Sequence, residues 1–82
     1  MILVDIYVPV IDDTYDFRLD ENAAVGEVME SVEDIISKKM KNSSDGKRNL
    51  FTLYSAEQQR ALDKTLSLYA NGIRDGGHLM LI

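Results

Sequence analysis

The chain has 82 residues, 45% of them apolar, with 14 acidic against 9 basic side chains and a net charge of −5. A chain of this size makes one domain, residues 1–82, with a thin stability margin, and its apolar content is too high for disorder. The chain contains no cysteine, which excludes disulfides, thiolate metal sites, iron–sulfur clusters and a cysteine nucleophile, and the scattered bases exclude the clustered phosphate contacts that nucleic acid needs.

Ile2, Val4, Ile6 and Val8 alternate with Leu3, Asp5, Tyr7 and Pro9. Period two with β-branched residues predicts a strand with one buried face, ending near Pro9, which cannot donate to a ladder. Val10 to Asp13 reads as a turn with its bend at Asp12–Asp13. Thr14 to Leu19 alternates again, with Tyr15, Phe17 and Leu19 on one face, so the two segments form a hairpin. The opening run carries no basic region and is too short for a signal peptide, and no segment approaches the ~20 apolar residues of a membrane span. The expectation is a cytoplasmic protein with no direct membrane insertion.

Val25, Val28, Met29, Val32, Ile35, Ile36 and Met40 recur at helical spacing, which predicts one long amphipathic helix over Val25 to Met40. Acids early and lysines late suit the helix dipole. Asp34 and Lys38 stand one turn apart and can pair. Asn22 or Asp20 is the expected cap, Ala24 being a poor one. Gly26, in the first turn, weakens the helix relative to alanine. Asn42 to Gly46 has loop composition.

Leu50 to Tyr54 reads as a third strand whose facing is ambiguous, because large side chains fall on both faces. Ser55 to Lys64 is polar. It allows a short fourth strand at Ala61–Leu62 or a short helix over Ala56 to Leu62. Asn71–Gly72 and Asp75–Gly76–Gly77 are turn signals. His78 to Ile82 closes the chain as a strand. One helix on one face of a mixed sheet makes an α+β domain. If the first and last strands lie side by side, the helix covers both.

Thr65-Leu66-Ser67-Leu68-Tyr69, Gly72-Ile73 and His78-Leu79-Met80-Leu81-Ile82 resemble the last third of ubiquitin, and the layout is similar to the ubiquitin-like β-grasp. Tyr15-Asp16-Phe17, Leu19-Asp20-Glu21-Asn22 and Gly72-Ile73-Arg74-Asp75-Gly76 resemble the small YukD/EsaB proteins, bacterial ubiquitin-like proteins associated with type VII (WXG100) secretion. The resemblance runs over essentially the full length. It implies a mixed sheet of four to five strands on one long helix and a role in secretion. Conjugated relatives end in a flexible Gly-Gly tail. Gly76–Gly77 precedes the last predicted strand and Ile82 ends the sequence, so covalent tagging is not expected. Plant-type ferredoxins share the fold but need four cysteines.

No residue set points to catalysis. His78 is the only histidine and has no carboxylate cluster near it in sequence. Ser43, Ser44 and Ser55 lack a local base. Asp12–Asp13 supplies too few oxygens at the wrong spacing for calcium, and no glycine-rich phosphate loop joins a strand to a helix. The expectation is a non-enzyme without cofactor or metal. With Ile2, Val4, Ile6, Leu79 and Leu81 inward, alternation sends Leu3, Asp5, Tyr7, His78, Met80 and Ile82 to the opposite face. Ile82 also falls where the ubiquitin resemblance implies a residue of the patch that ubiquitin receptors grip. Singly exposed apolar residues are ordinary; a cluster of Leu3, Tyr7, Met80 and Ile82 is a candidate protein-binding site. Its expected partner is a cytoplasmic domain of a secretion-system membrane component. The alternatives are a homodimer formed through the same face, as a self-associating scaffold, and a regulatory interaction domain unrelated to secretion.

Overall fold

The computed structural model describes residues 1–39 and 51–82. β1 (Ile2–Val8) and β2 (Asp13–Leu19) form the hairpin, α1 (Val25–Lys39) follows, and β3 (Leu53–Ser55), β4 (Arg60–Ala61) and β5 (His78–Leu81) complete the order. The strands form one five-stranded sheet in the order β2-β1-β5-β3-β4. β1 and β5 run parallel at its centre, and every other pairing is antiparallel. This is the α+β β-grasp expected from the sequence.

Alternation decides the sheet's two faces. Ile2, Val4, Ile6 and Val8 of β1, Phe17 and Leu19 of β2, Leu53 of β3, and Leu79 and Leu81 of β5 are all buried. They form one core cluster with Val25, Val28, Met29, Val32 and Ile36 of α1. Leu62, Leu68 and Ile73, from the long connection before β5, complete that core. The facing of the third strand, ambiguous from sequence, is settled by Leu53 and Ser55 pointing inward and Tyr54 outward. Leu50, Met40 and the Asn42–Gly46 loop lie outside the described residues.

Four local expectations need correction. Ile35 is 41% exposed and is not part of the buried stripe. At about 100° per residue it sits roughly 80° from the stripe's centre, near Val25, Val32 and Ile36, so it falls at the edge. Neither Asn22 nor Asp20 caps α1. Instead the Val25 and Gly26 N–H groups donate to the backbone carbonyls of Leu66 and Lys64, at 2.9 and 3.1 Å. Tertiary carbonyls thus satisfy donors that a side-chain cap would have taken. Asp20 instead accepts the Asn22 N–H at 2.9 Å, holding the approach to the helix. The hairpin connection is a 3-10 turn over Pro9–Ile11, and Asp12 alone takes the left-handed bend, with φ 50°. Aspartate is among the few non-glycine residues that adopt this conformation readily. The fourth strand is Arg60–Ala61, one position earlier than expected, and no helix forms over Ala56 to Leu62. Ser55 accepts the Gln58 N–H on its hydroxyl and the Gln59 N–H on its carbonyl, and Leu62 N–H donates to Leu53 at 2.9 Å. These bonds close a tight turn and override the helix propensity of Glu57 to Arg60. The Asp34–Lys38 pair forms at 3.4 Å on the exposed side of α1.

The connection from β4 to β5 contains little regular structure, and one side chain organises it. Asn71 is 2% exposed. Its amide nitrogen donates to the carbonyls of Asp63 and Ser67, and its amide oxygen accepts the Asp63 N–H. Its own carbonyl accepts from Gln58 and Arg60 of the β3–β4 turn. Gly72 follows with φ +85°, a conformation that strains a residue with a side chain, and a Cβ there would also push the Gln58 amide, 2.9 Å away, out of its place. Asn71→Leu leaves the Asp63 N–H without its acceptor, while the Asp63 and Ser67 carbonyls each lose one donor and keep the backbone N–H of Leu66 and of residue 71. It is expected to destabilise the fold by about 1–3 kcal/mol, the usual cost of one polar group left unpaired. Chemical denaturation measures this, and a loss below 1 kcal/mol would refute the assigned role.

The same loop carries a pH-linked contact. Thr65 donates its hydroxyl to the Asp63 carboxylate at 2.6 Å and its N–H at 2.9 Å. The hydroxyl bond, then the N–H bond, hold the Asp63 pKa below the ordinary aspartate value of 3.8, against a smaller opposing effect of desolvation. A depressed folded-state pKa gives stability that is fully present above the unfolded value and is lost as pH falls through the folded one. Thr65→Val keeps the shape and removes the hydroxyl donor. Carboxyl NMR titration is expected to show the Asp63 midpoint rising toward 3.8, with wild type and variant converging in stability at the acid end. An unmoved midpoint would contradict the assignment.

Candidate functional site

The outer face of the sheet, opposite α1, is built by the same alternation that builds the core. The register puts Thr14 of β2 beside Tyr7 of β1, Tyr7 beside Met80 of β5, Met80 beside Tyr54 of β3, and Tyr54 beside Ala61 of β4. One lateral row therefore crosses all five strands, with two tyrosines and a methionine at its centre. Tyr7, Tyr54 and Met80 are half-buried among their neighbours, and Ile82 is 49% exposed. Ile82 lies just past β5 and exchanges backbone bonds with Thr52, at 2.6 and 2.9 Å, which fixes it beside the row.

The next row along the strands is charged. Asp16 pairs with Asp5, and Asp5 with His78. The His78 Nδ1 stands 2.7 Å from an Asp5 carboxylate oxygen. Like charges directly opposite in a ladder repel, and the His78 contact gives Asp5 a polar partner on its other side. The structure thus brings Tyr7 together with Met80, and sets Leu3 apart. Leu3, 46% exposed, lies on β1 beyond the Asp5–His78 pair, about 13 Å from Tyr7 at the usual rise per residue. There its N–H donates to the Asp75 carboxylate at 2.7 Å and its carbonyl accepts the Gly76 N–H. The Tyr7 hydroxyl donates to Asp12 at 2.8 Å, and this bond to a carboxylate raises the phenol's pKa.

Two members of the face escape a reading of the sequence. Tyr54 was hidden by the ambiguous facing of its strand, which the antiparallel register with β5 resolves. The Asp5–His78 contact depends on the parallel offset between strands 73 residues apart, which no local pattern encodes. The shared outward parity of the two residues was its only trace.

The arrangement allows some chemistries and disfavours others. Among the described residues, no three His, Cys, Asp or Glu side chains are grouped to hold a metal ion, and no helix is long and apolar enough to cross a membrane. Gly76 and Gly77 form a turn inside the fold. Gly76 has φ +86°, and the Gly77 carbonyl accepts the Asp5 N–H at 3.1 Å. This double glycine is tied to β1 and is not a free tail.

Similar structures place the fold in a wider group. The EccD5 ubiquitin-like domain from Mycobacterium xenopi aligns over 99% of this chain and 91% of its own, with TM-score 0.78 and 19% identity. The ubiquitin-like domain of the Mycobacterium tuberculosis type VII secretion system protein ECCD1 aligns over 100% and 99%, with TM-score 0.69 and 13% identity. Caldiarchaeum subterraneum ubiquitin aligns over 99% and 90%, with TM-score 0.65 and 24% identity. At these identities the likeness establishes the ubiquitin-like fold. No curated protein matches the chain. The family described as "WXG100 protein secretion system (Wss), protein YukD" matches residues 3–81. That match spans nearly the whole sequence, and the chain belongs to the YukD family of ubiquitin-like proteins linked to WXG100, or type VII, secretion.

Proposed function

We propose that this protein is a non-enzymatic adaptor of the WXG100 secretion machinery. It acts in the cytoplasm by binding a protein partner, without covalent conjugation. Family membership supports the pathway. The observation that carries the binding mode is the row Tyr7–Met80–Tyr54, extended by Ile82, on the sheet face that α1 leaves uncovered. Aromatic and methionine side chains are enriched where proteins grip one another. The partner is a cytoplasmic domain of a membrane component of the apparatus. The internal position of Gly76–Gly77 supports non-covalent action.

Two substitutions, adjacent in sequence and on opposite faces, separate binding from folding. Met80→Glu changes a half-buried side chain of the outer face and leaves the core intact, so its stability is expected to fall by only about 1 kcal/mol, while co-purification of secretion components is lost. Leu81→Ala truncates a fully buried side chain and is expected to destabilise by about 2–5 kcal/mol. Retention of the secretion components by Met80→Glu would move the site elsewhere. Light scattering on the wild type tests the self-associating alternative, which requires a dimer that Met80→Glu dissolves.

A further inference from the structure

The charges around the outer face are lopsided in a way the net charge alone does not require. Asp5 and Asp16 project from the sheet in the row beside Tyr7 and Met80. Three more acids sit on its rim, each in contact with an outward strand residue or its backbone. Asp12 accepts the Tyr7 hydroxyl, Asp75 accepts the Leu3 N–H, and Glu57 lies 3.4 Å from the His78 N–H. Against these acids the face sets Arg18, on β2 beside Leu3, and His78, already engaged by Asp5. Three of the other described bases are engaged elsewhere, and Lys64 lies in the β4–β5 connection, where its carbonyl accepts the Gly26 N–H of α1. Arg60 donates to Gln58 and Asn71, Arg74 lies 4.1 Å over the Tyr69 ring, and Lys38 pairs with Asp34 on the helix.

We infer that the outer sheet face is built for a cationic protein segment. That segment presents an aliphatic or aromatic anchor over Tyr7, Met80 and Tyr54, with a lysine or arginine beside it facing Asp5 and Asp16. This inference rests on the proposed docking face and names the chemistry of its partner. The spacing follows from the strands. Asp5 lies two residues before Tyr7 on one face, about 7 Å away, within reach of a long basic side chain next to a seated anchor. Such charges set partner choice and association rate more than they set affinity. The same acids repel anionic lipid surfaces.

The test uses random twelve-residue peptides displayed on phage and selected on the whole chain. Selected peptides are expected to combine a bulky apolar residue with lysine or arginine and to shift the backbone amide signals of Tyr7, Tyr54 and Met80. Their binding is expected to weaken as salt rises. Asp16→Lys removes the Asp5–Asp16 repulsion, so the variant is expected to fold at least as well as wild type. It is expected to weaken the selected peptides by roughly three- to thirtyfold, as the reversal of one exposed charge implies. Met80→Glu is expected to abolish them. Selected peptides that are neutral or acidic, or that bind Asp16→Lys as tightly as wild type while still losing Met80→Glu, overturn the cationic partner and leave the docking face standing. Peptides that settle elsewhere, that are indifferent to Met80→Glu, or that are not recovered at all overturn the face itself, and this inference with it.

Discussion

The parallel pairing of β1 with β5 is the constraint on which the rest of the molecule depends. It joins Ile6 to Leu79 and Tyr7 to Met80, residues more than seventy positions apart. Loop closure over that distance is paid once, by two strands whose inward residues are almost wholly buried. Because the paired strands occupy the sheet's centre, α1 can cover the inward residues of both. β2 and β3 then add at the edges of a surface already defined. A one-residue slip of β5 against β1 would turn β5 over, burying His78 and Met80 and exposing Leu79 and Leu81. The register is therefore specified by the core, and the outer face inherits it.

Much of this architecture is legible in the chain because the physics that sets it is local. β1 and β5 alternate cleanly, and their period of two gives both their type and their facing. α1 repeats its apolar residues at helical spacing, and Gly72 and Gly76 mark turns with positive φ. What could not be read depends on partners distant in sequence. The α1 cap comes from Lys64 and Leu66, so a search for a side-chain cap among Asp20 and Asn22 looks in the wrong segment. The segment from Ala56 to Asn71 has the composition of a helix followed by a loop. Its form is decided by Ser55, Gln58 and Asn71 bonding to backbone groups that local propensity does not register. Ile35 shows a subtler limit: a heptad-like pattern says which residues share a side of a helix, but the width of the sheet beneath decides where the buried stripe stops.

The candidate face was partly legible for the same reason. Alternation alone sends Leu3, Tyr7, Met80 and Ile82 outward, and it needs no knowledge of neighbours. Whether they meet is a question of lateral register. The parallel offset puts Tyr7 beside Met80 and puts Asp5 beside His78, so a polar pair divides Leu3 from the others. Tyr54 enters because β3 runs antiparallel to β5 and lands its outward residue on Met80. A face assembled from three strands cannot be read from any one of them.

A sheet with one buried and one open side separates what the fold needs from what a partner sees. Substitution along the Val4, Ile6, Leu79 and Leu81 series acts on stability, because every one of these side chains is at most 1% exposed. Substitution along Asp16, Tyr7, Met80 and Tyr54 acts on a surface whose backbone is already held by its ladders. That division explains how a ubiquitin-like scaffold tolerates sequence identities below 25% with its topology intact, since only the inward series and a few turn residues are constrained by packing. It also explains why likeness of fold alone carries no binding partner with it. The outward residues hold that information, and in this chain they place a polar Asp5–His78 pair against a row of aromatic and thioether side chains. An apolar anchor alone would bury Asp5 at a desolvation cost unless it brought a hydrogen-bonding or charged group to meet it, so the polar pair restricts the face's partners as strongly as the apolar row attracts them.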